Sequence, residues 1–186
     1  MAKKKLVSPS SVKEIWKRHF SDCAQTFDLL GHAFFKNKKK KKKILDVGTG
    51  AGLPGLVLSL LIADKSTGHD ITLVEANGKK VDFLRHTCKD LCLDIEILHK
   101  RVEDIKVSDY HFVTARAVAP LNKFFSFFNN QNIKNNFFIM AKGRTWKCEL
   151  NEFKKKWKFS KFVVKNKTEI DESGGVQILL KDLKKI

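Results

Sequence analysis

Asp46-Val47-Gly48-Thr49-Gly50-Ala51-Gly52-Leu53-Pro54-Gly55 follows the short apolar burst Ile44-Leu45-Asp46-Val47 and runs into the helix-length apolar stretch Leu53 to Ala63. Strand, glycine turn and helix in that order make a ligand-holding unit. Glycines let the backbone turn sharply and approach a bound group, and the helix start presents N–H groups with no partner inside the helix. A carboxylate, a phosphate or an adenosine ribose fits such a turn. As a bare pattern, Gly50-x-Gly52-x-x-Gly55 also matches the dinucleotide fingerprint, so the glycines alone leave a nicotinamide cofactor open.

The flanking sequence repeats the same alternation. Ile71 to Val74 is β-branched and strand-like, and Lys79 to Leu91 places Val81, Leu84, Cys88 and Leu91 at helical spacing. Further strands are expected at Ile95 to Leu98, Phe112 to Ala115 and Phe137 to Met140. Phe124, Phe125, Phe127 and Phe128 sit in a segment expected to pack on the sheet. Towards the end, Thr145 to Trp157 reads as a helix, and Phe159 to Val164 and Val176 to Leu180 as two strands around a turn at Gly174-Gly175. Upstream, Ser11-Val12-Lys13-Glu14 is a capping-box pattern, and a stripe from Val12 through Trp16, His19, Cys23 and Phe27 to Leu30 predicts an amphipathic helix ending at Gly31. Repeated strand-helix alternation implies an α/β fold: a mostly parallel, seven-stranded sheet with helices on both faces. One domain over 1–186 is expected, with a helical segment over 10–35 and an α/β core over 43–186.

Composition narrows the partners. The chain has 186 residues, 42% of them hydrophobic and 31% charged, enough apolar material for a core. Subtracting 20 Asp and Glu from 37 Lys and Arg leaves +17, which points to a polyanion such as nucleic acid. Part of that charge is read as compositional drift, because the Lys38 to Lys43 run, 15 Phe against 1 Tyr and an Asn-rich stretch from Asn129 to Asn136 are residues of AT-rich codons. The Leu53 to Ala63 stretch is far shorter than the roughly 20 residues that cross a bilayer, and the basic start has no apolar segment of a secretory signal behind it. A cytoplasmic protein without a membrane segment is expected. Cys23, Cys88, Cys92 and Cys148 form no C-x-x-C pair and the histidines lack zinc-ligand spacing, so reduced thiols and no metal are expected.

Two acids sharpen the ligand. Glu75 closes the second strand, where a carboxylate accepts hydrogen bonds from two vicinal ribose hydroxyls of either cofactor. Asp46, directly before the glycines, matches the acid of methyltransferases, in which it and the glycine backbone surround the methionine part of S-adenosylmethionine. With these residues the chain resembles the rRNA small subunit methyltransferase G family, also called the glucose-inhibited division protein B family. The resemblance runs from Trp16 to roughly Lys181 and rests on these signatures in order: Arg18-His19-Phe20-Ser21-Asp22, the Asp46 to Gly55 loop with its unusual Leu53-Pro54-Gly55, Gly78-Lys79-Lys80-Val81-Asp82-Phe83-Leu84, Arg101-Val102-Glu103, Thr114-Ala115-Arg116-Ala117, and Ala141-Lys142-Gly143.

The resemblance implies a Rossmann-like class I fold and transfer of a methyl group from S-adenosylmethionine to N7 of a guanine in 16S rRNA, with the small ribosomal subunit or its RNA as partner to a monomer. It implies that Gly48 and Leu53 line the cofactor pocket, that Val102 and Glu103 flank the adenine, and that Arg116 is a further binding residue. Asp46, Gly50 and Glu75 complete the expected cofactor set. Lys79, Lys80, Arg101 and Lys142 are implied to face RNA. Guanine N7 carries no proton, so no general base is expected; Arg116 is assigned to positioning and His19, on the apolar stripe, to structure. The alternatives are an NAD-dependent dehydrogenase and a non-catalytic RNA-binding protein of methyltransferase-like fold.

Overall fold

The computed structural model describes residues 15–34, 41–65, 68–165 and 175–186. The capping box at Ser11 to Glu14, Lys38 to Lys40 of the lysine run and Gly174 lie outside the described residues. The β-branched and aliphatic bursts form seven strands: β1 (Lys43–Val47), β2 (Asp70–Glu75), β3 (Glu96–His99), β4 (Phe112–Arg116), β5 (Phe137–Lys142), β6 (Trp157–Lys165) and β7 (Val176–Lys185). Their order across the sheet is β3-β2-β1-β4-β5-β7-β6. The first five pair in parallel, and β7 runs antiparallel to both β5 and β6. The sheet is therefore mostly parallel, as the alternation requires.

The crossovers carry α2 (Gly55–Asp64), α3 (Gly78–Asp90), α4 (Leu121–Ser126) and α5 (Trp146–Lys154); α1 (Asp22–Phe34) precedes the sheet and is entered through a π-helical turn, Trp16–Ser21. Alternate side chains of each strand feed two cores. On one face Leu29, Leu30, Leu56, Leu58, Leu84 and Phe112 pack between the sheet and α1, α2 and α3. On the other, Phe124, Phe125, Phe128, Phe138 and Phe153 are buried together with Trp157. The rings of Phe125 and Phe153 lie 4.7 Å apart and those of Phe125 and Phe138 4.8 Å, typical aromatic packing. These phenylalanines are core, as their helix-on-sheet position predicts.

Several boundaries differ from the sequence reading, and β7 runs on past the expected Leu180 to Lys185. The first helix does not stop at Gly31 but continues to Phe34. A mid-helix glycine costs only about 1 kcal/mol, which burial of Leu29 and Leu30 outweighs. The second helix begins at Gly55, because Leu53 and Pro54 belong to the turn and Pro54 occupies the N-cap. Trp157 opens β6 instead of closing α5. Its ring stacks on Phe153 at 5.7 Å, so the four-residue spacing that looked helical is met across the helix-strand junction.

Candidate active site

The parallel order places the carboxyl ends of β1 and β4 side by side while their crossovers leave in opposite directions, the position where open α/β sheets bind ligands. The loop after β1 occupies that position. Gly48, Gly50 and Gly52 take φ values of 62°, 60° and 86°, left-handed backbone that side chains resist. The turn is closed by Gly52 N–H and Leu53 N–H donating to Thr49 O at 2.9 and 3.1 Å. A Cβ at Gly50 would meet only Gly48 O, at 3.8 Å, so the loop backbone there faces open space. The Thr49 hydroxyl is buried beneath the loop on the side of Asp46.

Glu75, at the end of β2, is 7% exposed. Its Oε2 accepts from Gly50 N–H at 3.0 Å and its Oε1 from Asn77 N–H at 2.9 Å. Both oxygens retain acceptor capacity, since a carboxylate offers about four lone-pair sites. The acid expected to face a ribose thus clips the glycine loop to the neighbouring strand. Leu53 is half-buried in the loop, and Val102 and Glu103 form a short 3-10 turn just beyond β3, with Val102 buried and Glu103 exposed. Since β1, β2 and β3 are parallel neighbours, Val47, Glu75 and His99 end at one edge of the sheet, bringing the expected cofactor residues to one rim.

Asp46 requires a correction. Its carboxylate has no exposed surface and turns inward, accepting from Gly55 N–H at 2.9 Å and from Thr114 Oγ1 at 2.9 Å. It props the loop from beneath; the spacing alone could not show which way it faces. Burial pushes its carboxyl up to about 6, against the opposing pull of Thr49, Thr114 and the Gly55 N–H. A raised acid binds its proton more tightly in the native state, so its contribution is fully present below about pH 4 and withdrawn as pH rises through about 6. Asp46→Asn should remove this dependence. The stability of the variant relative to wild type, read by urea unfolding, is expected to improve by up to about 3 kcal/mol between pH 4 and pH 7. A constant difference across that range would contradict the assigned burial.

Beside the loop, a cavity of about 520 Å³ opens between α1 and the carboxyl ends of β4 and β5, within the size range of small-ligand sites. Cys23, Thr26, Pro54, Arg116, Lys142 and Glu149 are among its walls. Arg116 ends β4, half-buried, with Nη2 at 2.6 Å from His19 Nδ1 and Nη1 at 3.5 Å from both His19 O and Cys23 Sγ. Burial pushes the Cys23 thiol up to about 12, so it stays neutral beside the guanidinium. The next residue, Ala117, holds φ 54°, an uncommon conformation for alanine, and also lines the cavity. Helix α1 is fastened there by Thr26 Oγ1 donating to Gln177 Oε1 at 2.8 Å and Gln177 Nε2 donating to Asp22 O at 2.6 Å. Cys23, Thr26 and Gln177 do not stand out from sequence as site residues. The one signal for Cys23 is its place four residues after His19 on the same stripe.

The expected RNA-facing set divides. Lys79 and Arg101 are exposed, and Lys80 is half-exposed with Nζ 3.9 Å from Glu75 Oε2. Lys142 lies apart from them: its side chain is 8% exposed, paired with Glu149 at 2.9 Å and donating to Ala119 O at 2.7 Å. Glu149 Oε2 also accepts from Leu121 N–H at 3.1 Å, so the pair ties down the loop between β4 and α4. As an RNA contact Lys142 is corrected to a strut of the cavity wall.

Among the described residues there is no group of three potential metal ligands and no helix long and apolar enough to cross a membrane.

Parallel strands in the order 3-2-1-4-5, an antiparallel seventh strand inserted beside them, a glycine loop after β1 and an acid closing β2 define the Rossmann-like fold of class I methyltransferases. A methyltransferase from Aquifex aeolicus described as SAM dependent shares this fold with a TM-score of 0.63 at 16% identity, covering 95% of each chain. The family model for rRNA small subunit methyltransferase G matches residues 2–176, and the chain belongs to that family. Relatives named ribosomal RNA small subunit methyltransferase G include one from Bartonella tribocorum, 34% identical over 90% of this chain and 75% of the relative, and one from Gluconobacter oxydans, 30% identical over 100% and 88%. With the family established, the dehydrogenase alternative falls away.

Proposed function

We propose that the chain transfers a methyl group from S-adenosylmethionine to N7 of a guanine in 16S rRNA, as a cytoplasmic enzyme acting on the small ribosomal subunit or its RNA. The observation that carries this reading is the left-handed glycine loop, clipped to Glu75, opening beside the α1–β4–β5 cavity in a chain of this family. The site fits the cofactor: open space faces Gly50, and Glu75 has spare acceptor capacity at the strand end.

In this reading the backbone at Gly48, Gly50 and Leu53 cradles the amino-acid end, Glu75 accepts from the ribose hydroxyls, and Val102 with Glu103 borders the adenine. When bound, the cofactor supplies an electrophilic sulfonium methyl. Guanine N7 attacks with an in-plane lone pair and loses no proton, so the protein's task is alignment and exclusion of water, not base catalysis. Arg116, on the cavity wall, orients the acceptor through planar N–H donors. N7 is reached where the guanine is unpaired or extruded, which suits a cavity open at the sheet edge.

Lys79, Lys80 and Arg101 supply the exposed charge for the RNA backbone on the cofactor rim. Replacing Lys79 and Lys80 by Ala is expected to flatten the slope of log affinity against log salt by about 0.7 to 0.9 for each phosphate no longer neutralised. Lys142→Ala should leave that slope unchanged and instead lower unfolding free energy by about 1 to 3 kcal/mol, because Glu149 and Ala119 O lose their partner. A flattened slope for Lys142→Ala in filter-binding titrations would restore it to the RNA interface.

The reaction is tested by transfer of labelled methyl to small-subunit RNA and mapping of the product by reduction and strand cleavage at N7-methylguanine. Methylation at another atom overturns the assigned specificity. Binding of RNA and cofactor with no transfer would leave the non-catalytic alternative standing.

A further inference from the structure

Arg116 does not meet the cavity as a lone side chain. Its guanidinium is gripped from one side by the π-helical turn and first turn of α1: Nη2 lies 2.6 Å from His19 Nδ1, and Nη1 lies 3.5 Å from His19 O and 3.5 Å from Cys23 Sγ. A guanidinium has five N–H donors, no acceptor and a permanent charge. At this contact, then, Nδ1 must offer its lone pair, and the ring proton resides on Nε2. The short His19–Arg116 contact is an acceptor-donor bond that an imidazolium could not make. Helix α1 is in turn fixed to β7 through Thr26, Gln177 and the Asp22 carbonyl, so the grip has a rigid base.

We infer that His19 is a positioning residue of the methyl-transfer site: neutral, with Nδ1 as acceptor, it holds the Arg116 guanidinium in the plane and direction in which it meets the acceptor base. Arginine carries several rotatable bonds, and a side chain of that length left untethered in an open cavity samples many rotamers. The three bonds from the helical segment select one of them. Without the tether the orientation loosens, which in an alignment-limited reaction lowers turnover. The inference rests on the proposed role of Arg116 in orienting the acceptor. It gives His19 a task that its place on an apolar stripe did not suggest.

A double-mutant cycle tests it, with methyl transfer to small-subunit RNA, cofactor affinity by calorimetry and thermal stability measured on each protein. His19→Ala is expected to lower kcat about tenfold, with cofactor affinity within about twofold. His19→Asn, which returns an acceptor oxygen close to the place of Nδ1, should recover to within about threefold of wild type. His19→Gln, whose polar atoms sit one bond farther out, should recover less. In an Arg116→Ala background, His19→Ala should change kcat less than about twofold, since there is no guanidinium left to hold.

Full additivity of the two effects, or equal kcat for His19→Ala and His19→Asn, overturns the inference while leaving Arg116 in its role. A wild-type rate for Arg116→Ala overturns the role of the arginine and the inference with it. Should His19→Ala unfold, the ranking of Asn above Gln in the folded proteins decides the matter alone.

Discussion

Gly48→Val is expected to lower S-adenosylmethionine affinity by about 100-fold or more, roughly 2.8 kcal/mol, in a protein that keeps its fold. Two effects combine at this position. Its φ of 62° is left-handed, and a β-branched residue is a genuine outlier there. A Cβ would also stand 2.9 Å from Val118 Cγ2, so the loop must shift against the β4–α4 connection. Gly48 is exposed, and the damage therefore falls on the ligand face instead of the core. Gly50→Ala is the cleaner companion, for its Cβ would meet no protein atom closer than 3.8 Å. Calorimetry should show weakened binding for both and circular dichroism a retained fold for both. Unchanged affinity in Gly50→Ala would mean that the ligand does not approach this stretch of backbone.

The second large effect is expected at Gly55, and it concerns stability. A Cβ on Gly55 would lie 2.2 Å from Leu73 Cδ2 and 2.6 Å from Asp46 Oδ2, too close to either atom. Leu73 is fully buried in the centre of β2, and Asp46 Oδ2 is the atom that accepts from the Gly55 N–H. Gly55→Ala must therefore push α2 off the sheet and lengthen a hydrogen bond to a buried carboxylate. Overpacking costs about 1 to 3 kcal/mol and a weakened bond to a buried charged group a similar amount, giving about 2 to 6 kcal/mol together. At about 2 to 4 °C per kcal/mol for a chain of this size, the midpoint should fall by about 10 °C. A fall of less than about 3 °C in a calorimetric scan would show that the helix has room to move away.

Gly55 also shows what the sequence made legible and what it hid. The pattern Gly50-x-Gly52-x-x-Gly55 looks like a dinucleotide fingerprint because its third glycine meets a packing demand common to all such units, close approach of helix to sheet. Spacing reports that demand without reporting the ligand. The strands were legible because short β-branched bursts buried on both faces leave a clear trace: Ile71 to Val74 falls within β2, and Phe112 to Ala115 within β4. Side-chain direction left no trace. Asp46 and Glu75 both lie at the end of a strand beside the glycine loop, Asp46 one residue before the last of β1 and Glu75 the last of β2, yet one is sealed beneath α2 while the other clips the loop at the rim. Lys142 resembles its exposed neighbours in a lysine-rich chain, and only the fold brings Glu149, seven residues on, back against it. The tie between Asp22 and Gln177 joins residues 155 positions apart, beyond any local pattern.

The strand order β5-β7-β6 also sets a timetable. A chain emerging from the ribosome presents β6 before β7, yet β6 has no neighbour in the sheet except β7, which must thread between it and β5. Until residue 176 onward is available, β5 keeps a bare edge and β6 has no hydrogen-bonded place to go. An unpaired strand in that interval is a template for association with other chains. Lys158 and Lys161, exposed on β6, place positive charge on the strand that ends as the outer edge of the sheet, and charge on an edge discourages wrong pairing. The glycine loop, by contrast, is held by contacts to β1, β2 and β4 alone, all available before β6 emerges, whereas the cavity wall depends on α1 anchored by Gln177 of the last strand.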